Sequence, residues 1–273
     1  MITTKSTAVL LLSHGSRDPR AAYVVGELVL AAAAGTGFTV RAAHLGFEAP
    51  SATVALRRLA ADGFTSVCVV PLLFTPGHHL THDVPVAVAA SGITERMDVS
   101  VAPPLLAGGP RQRELLLVAL ADRLLQAGAD AHVDGLVLVS AGSSSQRALL
   151  CIESLARDLE RSHGIPVEPA FASAGITSPT QALAVLSERG TQRPAVASLF
   201  VAPGRLTDLV VAACPDVPVA DPLGVSPAFV ELLVAQTRAL SRTTKPQGAP
   251  TAVPSARVSL NVGWSGVPGS FLR

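Results

Sequence analysis

The chain has 273 residues, of which 49% are hydrophobic but only 4% are aromatic. Its core must therefore be built mainly from Ala, Val and Leu, and such a core suits helices packed on parallel strands. Its 21 basic and 20 acidic residues leave a net charge of +1, without the clustered positive excess that binds nucleic acid or an anionic membrane surface. We therefore expect neither nucleic acid nor a membrane as a partner.

Apolar runs and cysteines point to an ordinary intracellular chain. The N-terminal apolar run is too short for a signal peptide, and the apolar stretches end well short of the ~20 residues that span a bilayer. Cys68, Cys151 and Cys214 are far apart and form no CxxC pair, so they predict free thiols and neither a disulfide framework nor a zinc site. We expect a cytoplasmic protein.

Short strand-like runs alternate with longer helical patterns in the first half. Gly63 and Gly128 stand where helix C-terminal caps are expected. This alternation predicts βαβ units, and therefore a doubly wound parallel sheet covered by helices on both faces. The predicted strands are 8–13, 38–45, 66–74 and 99–102, and the predicted helices are 21–34, 51–63, 83–92 and 111–128.

The pattern then begins again, which indicates an internal duplication. LVLVSAGSSSQRA (136–148) aligns with VLLLSHGSRDPRA (9–21) at a constant offset of 127, since 136 − 9 = 127 and 148 − 21 = 127. LFTPG (73–77) has a counterpart one residue longer, LFVAPG (199–204). The predicted fold class is α/β, with two tandem doubly wound parallel-sheet halves.

The two halves differ in their ionisable residues. His14 of the first half aligns with Ala141, and HHLTHD (78–83) aligns with RLTDL (205–209), which has no histidine. We predict an N-terminal half over 1–130 that carries the site, and a degenerate second half over 131–240. The segment 241–273 is rich in Pro, Gly, Ser and Thr, which predicts a disordered tail.

Histidines concentrate where the first three strands end. In a doubly wound sheet these ends share the carboxyl edge, where ligands bind. Imidazole is a good ligand for Fe, Co, Ni or Zn, and it also exchanges protons near neutral pH. Two other interpretations stay open, in which His14 is only a turn residue and His82 with Asp83 caps a helix. The histidines before residue 83 are His14, His44, His78, His79 and His82.

HGSRDP also resembles the motif of the histidine acid phosphatases, Arg-His-Gly-x-Arg-x-Pro. That family needs an arginine just before the histidine, where this chain has Ser13. Arg17 alone would bind a phosphate group more weakly than the usual cluster of arginines. A phosphatase therefore stays the weaker alternative.

Two motifs in register resemble the class II chelatases, the sirohydrochlorin chelatases. The first strand ends in HGSR, and PLLFTPGHHLTHDVP (71–85) matches the family's PLFLxxGxHVxxDIP, which places the family histidine at His79. His79 follows His14 by 65 residues (79 − 14), and LGFEAPS (45–51) lies between the motifs. The chain is similar to the two-repeat members of this family, with a degenerate second repeat.

The resemblance implies insertion of Fe²⁺ or Co²⁺, as a substrate, into sirohydrochlorin or a related tetrapyrrole in siroheme or cobalamin synthesis. No organic cofactor is implied, and the chain has neither GxGxxG nor GxxxxGK[ST]. His14 and His79 would be catalytic and would hold the metal, with His14 also accepting a pyrrole proton. The alternative to a chelatase is a non-catalytic carrier of the metal or of the tetrapyrrole. We expect the protein to be a monomer. The predicted substrate-binding residues are Arg17, Phe74, Thr75, Pro76, Gly77 and His78.

The chain departs from the family at one site position. Many members have an acidic residue where this chain has Gly46. If residues 44–48 form a strand, His44, Gly46 and Glu48 share one face, so His44 or Glu48 can replace the missing carboxylate. We therefore predict His44 as a third metal ligand.

Overall fold

The computed structural model describes residues 6–173, 177–243 and 259–260, in which strands and helices alternate. The strands are β1 (Thr7–Ser13), β2 (Thr39–His44), β3 (Ser66–Pro71), β4 (Asp98–Val101), β5 (Gly135–Ser140), β6 (Val167–Phe171), β7 (Pro194–Ser198) and β8 (Ser259–Leu260). The helices are α1 (Pro19–Thr36), α2 (Ala52–Ala61), α3 (Val84–Ser91), α4 (Pro110–Gln126), α5 (Gln146–His163), α6 (Pro179–Glu188), α7 (Arg205–Ala213) and α8 (Pro227–Thr243).

The strands form two sheets in which every pairing is parallel. The strand orders are β2-β1-β3-β4-β8 and β6-β5-β7. In the second sheet, a single parallel bridge between Val196 and Val219 lies beside β7, where the first sheet has β4. The predicted α/β class with two tandem parallel-sheet halves is confirmed.

Strand β1 shows why its sequence is a continuous apolar run. Successive side chains of a strand point to opposite faces, and both faces of β1 are buried. Val9 and Leu11 enter a core that both halves share, whereas Leu10 and Leu12 enter a second core under α2 and α3. A polar residue at any of these four positions would lose its hydration without gaining a partner.

The halves are joined by their last helices. Helix α4 of the first half packs on β7 of the second, and α8 packs against α1 and β3 of the first. The shared core contains residues of α1, α4, α5 and α8, so it lies between the two sheets. This interlocking fixes the carboxyl edges of the two sheets relative to each other.

The predicted boundary at residue 130 falls between α4 and β5 and stays a prediction. Helix α8 extends to Thr243, and Ser259–Leu260 pair with β4. The other residues of the predicted tail, 244–258 and 261–273, lie outside the described residues. In the described ranges, no helix is both long enough and apolar enough to cross a membrane.

The turn after β1 is repeated after β5. Leu45 N–H donates to Ser13 O at 3.0 Å, and its counterpart 127 residues later, Ala172 N–H, donates to Ser140 O at 2.9 Å. Gly15 has φ +89°, and a Cβ added there would lie 1.8 Å from the backbone oxygen of Gly46. Only glycine fits this close contact between the turn and the loop after β2.

We expect Gly15→Ala to lower the free energy of unfolding by about 2 kcal/mol or more, because it adds left-handed strain and a backbone overlap. Gly26→Ala is the matched control, since Gly26 is exposed in α1 with open space around its Cβ. That variant should raise stability by about 0.5–1 kcal/mol. Urea unfolding measures both, and an equally stable Gly15→Ala protein would contradict the described turn.

Candidate functional site

A cleft of about 920 Å³ lies between the halves at the carboxyl ends of their strands. This volume is near the upper end of the ~300–1,000 Å³ typical of ligand pockets. Its position agrees with the rule that open parallel sheets bind ligands beyond the carboxyl ends of their strands. The cleft is lined by residues from both halves, including 13–17, 72–75, 77–80, 140–144 and 199–207.

His14 and His79 meet inside this cleft. Their Nε2 atoms are 3.0 Å apart, and their rings lie edge to face with centroids 4.3 Å apart. The parallel register explains this, because Leu12 of β1 pairs with Pro71 of β3 and both chains leave the sheet at the same edge. The structure therefore brings together the two predicted catalytic histidines, which we call the inner pair.

Hydrogen bonds fix which nitrogen of each ring is free. His79 Nδ1–H donates to Asp83 Oδ2 at 2.6 Å, and His14 Nδ1–H donates to Gly15 O at 3.2 Å. Because these oxygens only accept, Nδ1 is the protonated nitrogen when each ring is neutral, and both Nε2 atoms then carry a lone pair and face each other. Two lone pairs 3.0 Å apart repel unless a cation lies between them. Ligands ~2.1 Å from an ion and at right angles to each other would be ~3.0 Å apart, so the inner pair can hold one metal ion.

Asp83 lies at the end of a π-helical turn, His79–Asp83, that precedes α3. Hydrogen bonds from His82 and His79 hold the pKa of its carboxyl below its usual value, so the group is ionised at neutral pH. The suggested capping role is wrong, because Asp83 makes no side-chain cap bond to α3 and binds histidines instead. Sequence reasoning missed its role beside His79, although their i, i+4 spacing was a usable signal.

His44 is buried and makes other contacts. Its Nδ1 is 2.7 Å from Ser13 Oγ, and its Nε2 is 3.4 Å from Glu48 Oε2. No choice of ring nitrogens brings His14, His44 and His79 all within 4.8 Å of one another. His44 as a metal ligand stays a prediction, while its contacts hold the turn after β1 against the loop after β2.

The expectation that residues 44, 46 and 48 share one strand face is wrong. Strand β2 ends at His44, and Phe47 has φ +65°, so the chain leaves the extended conformation. Glu48 instead folds back, and its Oε1 accepts a hydrogen bond from Ser16 N–H at 2.7 Å. Glu48 lines the cleft, and a Cβ added at Gly46 would have His14 O at 4.0 Å as its nearest neighbour. A side chain at position 46 would therefore fit in the loop without a clash.

Phe47 is an exposed aromatic residue on the cleft wall, with a relative accessibility of 62% for the whole residue. The guanidinium of Arg17 lies 5.4 Å from its ring centre, and the His14 ring lies 5.7 Å away. A bulky residue with positive φ is uncommon and strained. Sequence reasoning missed Phe47, because nothing in LGFEAPS signals this backbone conformation.

Most of the predicted substrate-binding residues line the cleft. They are Arg17, Phe74, Thr75, Gly77 and His78, whereas Pro76 is not part of the lining. The second half adds Arg205, which sequence reasoning missed although it follows Gly204 as His78 follows Gly77. Neither Arg17 nor Arg205 forms an ion pair with another described residue.

The cysteines take no part in the site. All three are free, and none lines the cleft. Burial raises the pKa of the Cys68 thiol to about 11, so it stays protonated at neutral pH and is a poor metal ligand. The groups in the cleft that could bind a metal ion are therefore imidazoles and carboxylates.

A family model described as CbiX matches residues 8–124 and 135–240, one segment in each half. Among solved structures, SirB from Bacillus subtilis with Fe³⁺ has a TM-score of 0.72 at 20% identity, covering 88% of this chain and 98% of that one. The SirB sirohydrochlorin chelatase of B. subtilis subspecies spizizenii with cobalt has a TM-score of 0.70 at 18% identity, covering 88% and 97%. CbiX, described as the terminal enzyme for siroheme biosynthesis in denitrifying bacteria, has a TM-score of 0.63 at 18% identity, covering 85% and 98%. No curated protein matches.

We expect Asp83→Ala to lower the Co²⁺ affinity of the inner pair by about 10- to 100-fold, because the His79 ring would lose the partner that fixes its orientation. Asp62→Ala is the control, since Asp62 pairs with Arg41 on the surface. Competition titration against a Co²⁺ chelator measures the affinity, with both variants made in a His78→Ala/His82→Ala background so that the other histidines in contact with Asp83 do not contribute. Equal affinities for Asp83→Ala and Asp62→Ala would show that Asp83 does not support His79.

Proposed function

Because this chain belongs to the CbiX family, we propose that it is a chelatase that inserts Fe²⁺ or Co²⁺ into sirohydrochlorin or a related tetrapyrrole of siroheme or cobalamin synthesis. The observation that carries the proposal is the inner pair, whose Nε2 atoms are 3.0 Å apart in a cleft of about 920 Å³. Relatives of the same fold were solved with Fe³⁺ and with cobalt, which supports a metal substrate.

The reaction replaces two pyrrole protons of the macrocycle with one divalent ion. The Nε2 lone pairs of the inner pair hold the incoming ion while it loses water ligands. As the ion moves to the pyrrole nitrogens, the imidazoles are released from it, and His14 accepts a pyrrole proton on its freed Nε2. The second proton leaves to water or to His79. Asp83 accepts from His79 Nδ1–H throughout, which keeps Nε2 directed at the ion.

Side chains from both halves suit a flat ligand that carries carboxylates. Phe47 offers an aromatic face beside His14, so a macrocycle stacked there would have its pyrrole nitrogens near the inner pair. Arg17 and Arg205 stand on opposite halves of the cleft and can each bind a carboxylate. The loop after β3 adds Phe74 and Gly77 to the lining of the cleft.

We expect His14→Ala and His79→Ala each to lower the rate of metal insertion by at least about 100-fold, since each removes a ligand and His14 also removes the base. His132→Ala is the control, because His132 is exposed outside the cleft lining. The assay is anaerobic incubation with sirohydrochlorin and Fe²⁺ or Co²⁺, followed by the macrocycle absorbance. If both variants insert metal at the wild-type rate, the assignment of the inner pair is wrong.

The same assay separates the two alternatives. A non-catalytic carrier would bind the metal or the macrocycle without accelerating insertion over the metal-only control. A histidine phosphatase would leave the macrocycle unchanged and would hydrolyse a generic phosphomonoester. Ser13 stands where a histidine phosphatase needs an arginine that binds the phosphate, which disfavours this alternative.

We expect Phe47→Gly to weaken tetrapyrrole binding by about tenfold, because one stacking face worth roughly 1 kcal/mol or more is lost. Its stability should not fall, since glycine relieves the positive-φ strain. Fluorescence titration with sirohydrochlorin and urea unfolding measure the two effects. Unchanged macrocycle affinity would place the ligand elsewhere in the cleft.

A further inference from the structure

A second group of metal-binding side chains lies beside the inner pair. His78 and His82 are four residues apart, and their rings stack with centroids 4.7 Å apart and planes 17° apart. His82 Nδ1 is 3.0 Å from Asp83 Oδ1, and His78 Nε2 is 3.7 Å from the same oxygen. Among the described residues, these three form the one group of three His, Cys, Asp or Glu side chains whose ligand atoms all lie within 4.8 Å of one another. We call it the outer site.

The spacing of the outer site fits the coordination sphere of a first-row ion. Ligands ~2.1 Å from a metal ion are ~3.0 Å apart at right angles and ~3.4 Å apart in a tetrahedron. The distances of 3.0 and 3.7 Å to Asp83 Oδ1 bracket these values closely. Two histidines at i and i+4 on one helical face are also a recurring metal-binding arrangement.

The ligand set predicts the class of ion. Two imidazole nitrogens and one carboxylate oxygen favour Fe²⁺, Co²⁺, Ni²⁺ or Zn²⁺ over Mg²⁺ and Ca²⁺, which prefer oxygen ligands. His78 and His82 are 71% and 61% exposed, so a bound ion would keep several water ligands. A solvated ion with three protein ligands can be released again, which suits transient binding.

The outer site is also connected to the inner pair. Asp83 faces the outer site with Oδ1 and accepts from His79 with Oδ2, and His79 Nε2 is 3.0 Å from His14 Nε2. His78 and His82 are 71% and 61% exposed against 47% for His79, so the outer site is the more open of the two to solvent. In the chelatase motif matched here, the positions of His78 and His82 are unspecified, and the aligned second-half segment has no histidine.

We propose that His78, His82 and Asp83 form a second binding site for a divalent transition metal, which collects the ion at the entrance of the cleft and passes it to the inner pair. Binding at the outer site stands on its own geometry. The transfer to the inner pair rests on the proposed function.

Co²⁺ binding to the full-length protein, without tetrapyrrole, tests the site. Equilibrium dialysis should give two Co²⁺ per chain for the wild type and one for the double variant His78→Ala/His82→Ala. Asp83 is kept in that variant, because it also holds His79. His132→Ala/His163→Ala is the matched control, which removes two exposed histidines elsewhere and should still bind two. Circular dichroism checks that each variant is folded.

The number of Co²⁺ ions that each variant retains shows which of the two sites binds them. His14→Ala/His79→Ala should retain one Co²⁺, and adding His78→Ala/His82→Ala to it should remove that ion. If the wild type binds a single Co²⁺ that His14→Ala/His79→Ala abolishes, or if His78→Ala/His82→Ala still binds two, the outer site does not exist. Since no macrocycle is present, a failed chelatase assay would leave this result unaffected.

Transfer is tested separately through the metal dependence of insertion. His82→Ala should raise the Co²⁺ concentration for half-maximal insertion by about tenfold, as expected when a supporting metal contact is lost. An unchanged half-maximal concentration, with the second Co²⁺ still lost in dialysis, would overturn the transfer step and leave the binding site in place.

Discussion

The parallel pairing of β1 with β3 is the constraint on which the site depends. Leu12 opposite Pro71 sets the register, and the chain then reaches His14 directly and His79 through the π-helical turn. A register shift of two residues would keep the buried faces but move one histidine by ~6.6 Å, too far for two ligands of one ion. The register of β1 and β3, and not burial alone, therefore sets the separation of the inner pair.

The two duplicated halves contribute different side chains to the cleft. The second half repeats the turn after β1, with Gly142 at φ +99° where the first half has Gly15, but it has Ala141 in place of His14. It provides a cleft wall and the cation of Arg205, while the first half provides the imidazoles and carboxylates. Helix α4 packs on the second half and helix α8 packs on the first. Together with the shared core, they hold the carboxyl edges of the two sheets next to each other, so the degenerate half still shapes the site.

The fold and the inner pair could be predicted because they depend on long-range regularities. Buried parallel strands need continuous apolar runs, the offset of 127 is visible by alignment, and two histidines at neighbouring strand ends must lie on one edge. The directions of side chains in short loops could not be predicted. Phe47 takes a positive φ, Glu48 turns back to Ser16, and Asp83 turns toward His79, and each depends on local contacts without a sequence period.

The central claim is that His14 and His79 together hold the incoming metal ion. Anomalous diffraction from crystals of the full-length protein loaded anaerobically with Co²⁺ tests it most directly. The account predicts a cobalt peak in the cleft, ~2.1 Å from the Nε2 atoms of both histidines. Cobalt bound in the crystal with no peak between these two nitrogens would contradict it.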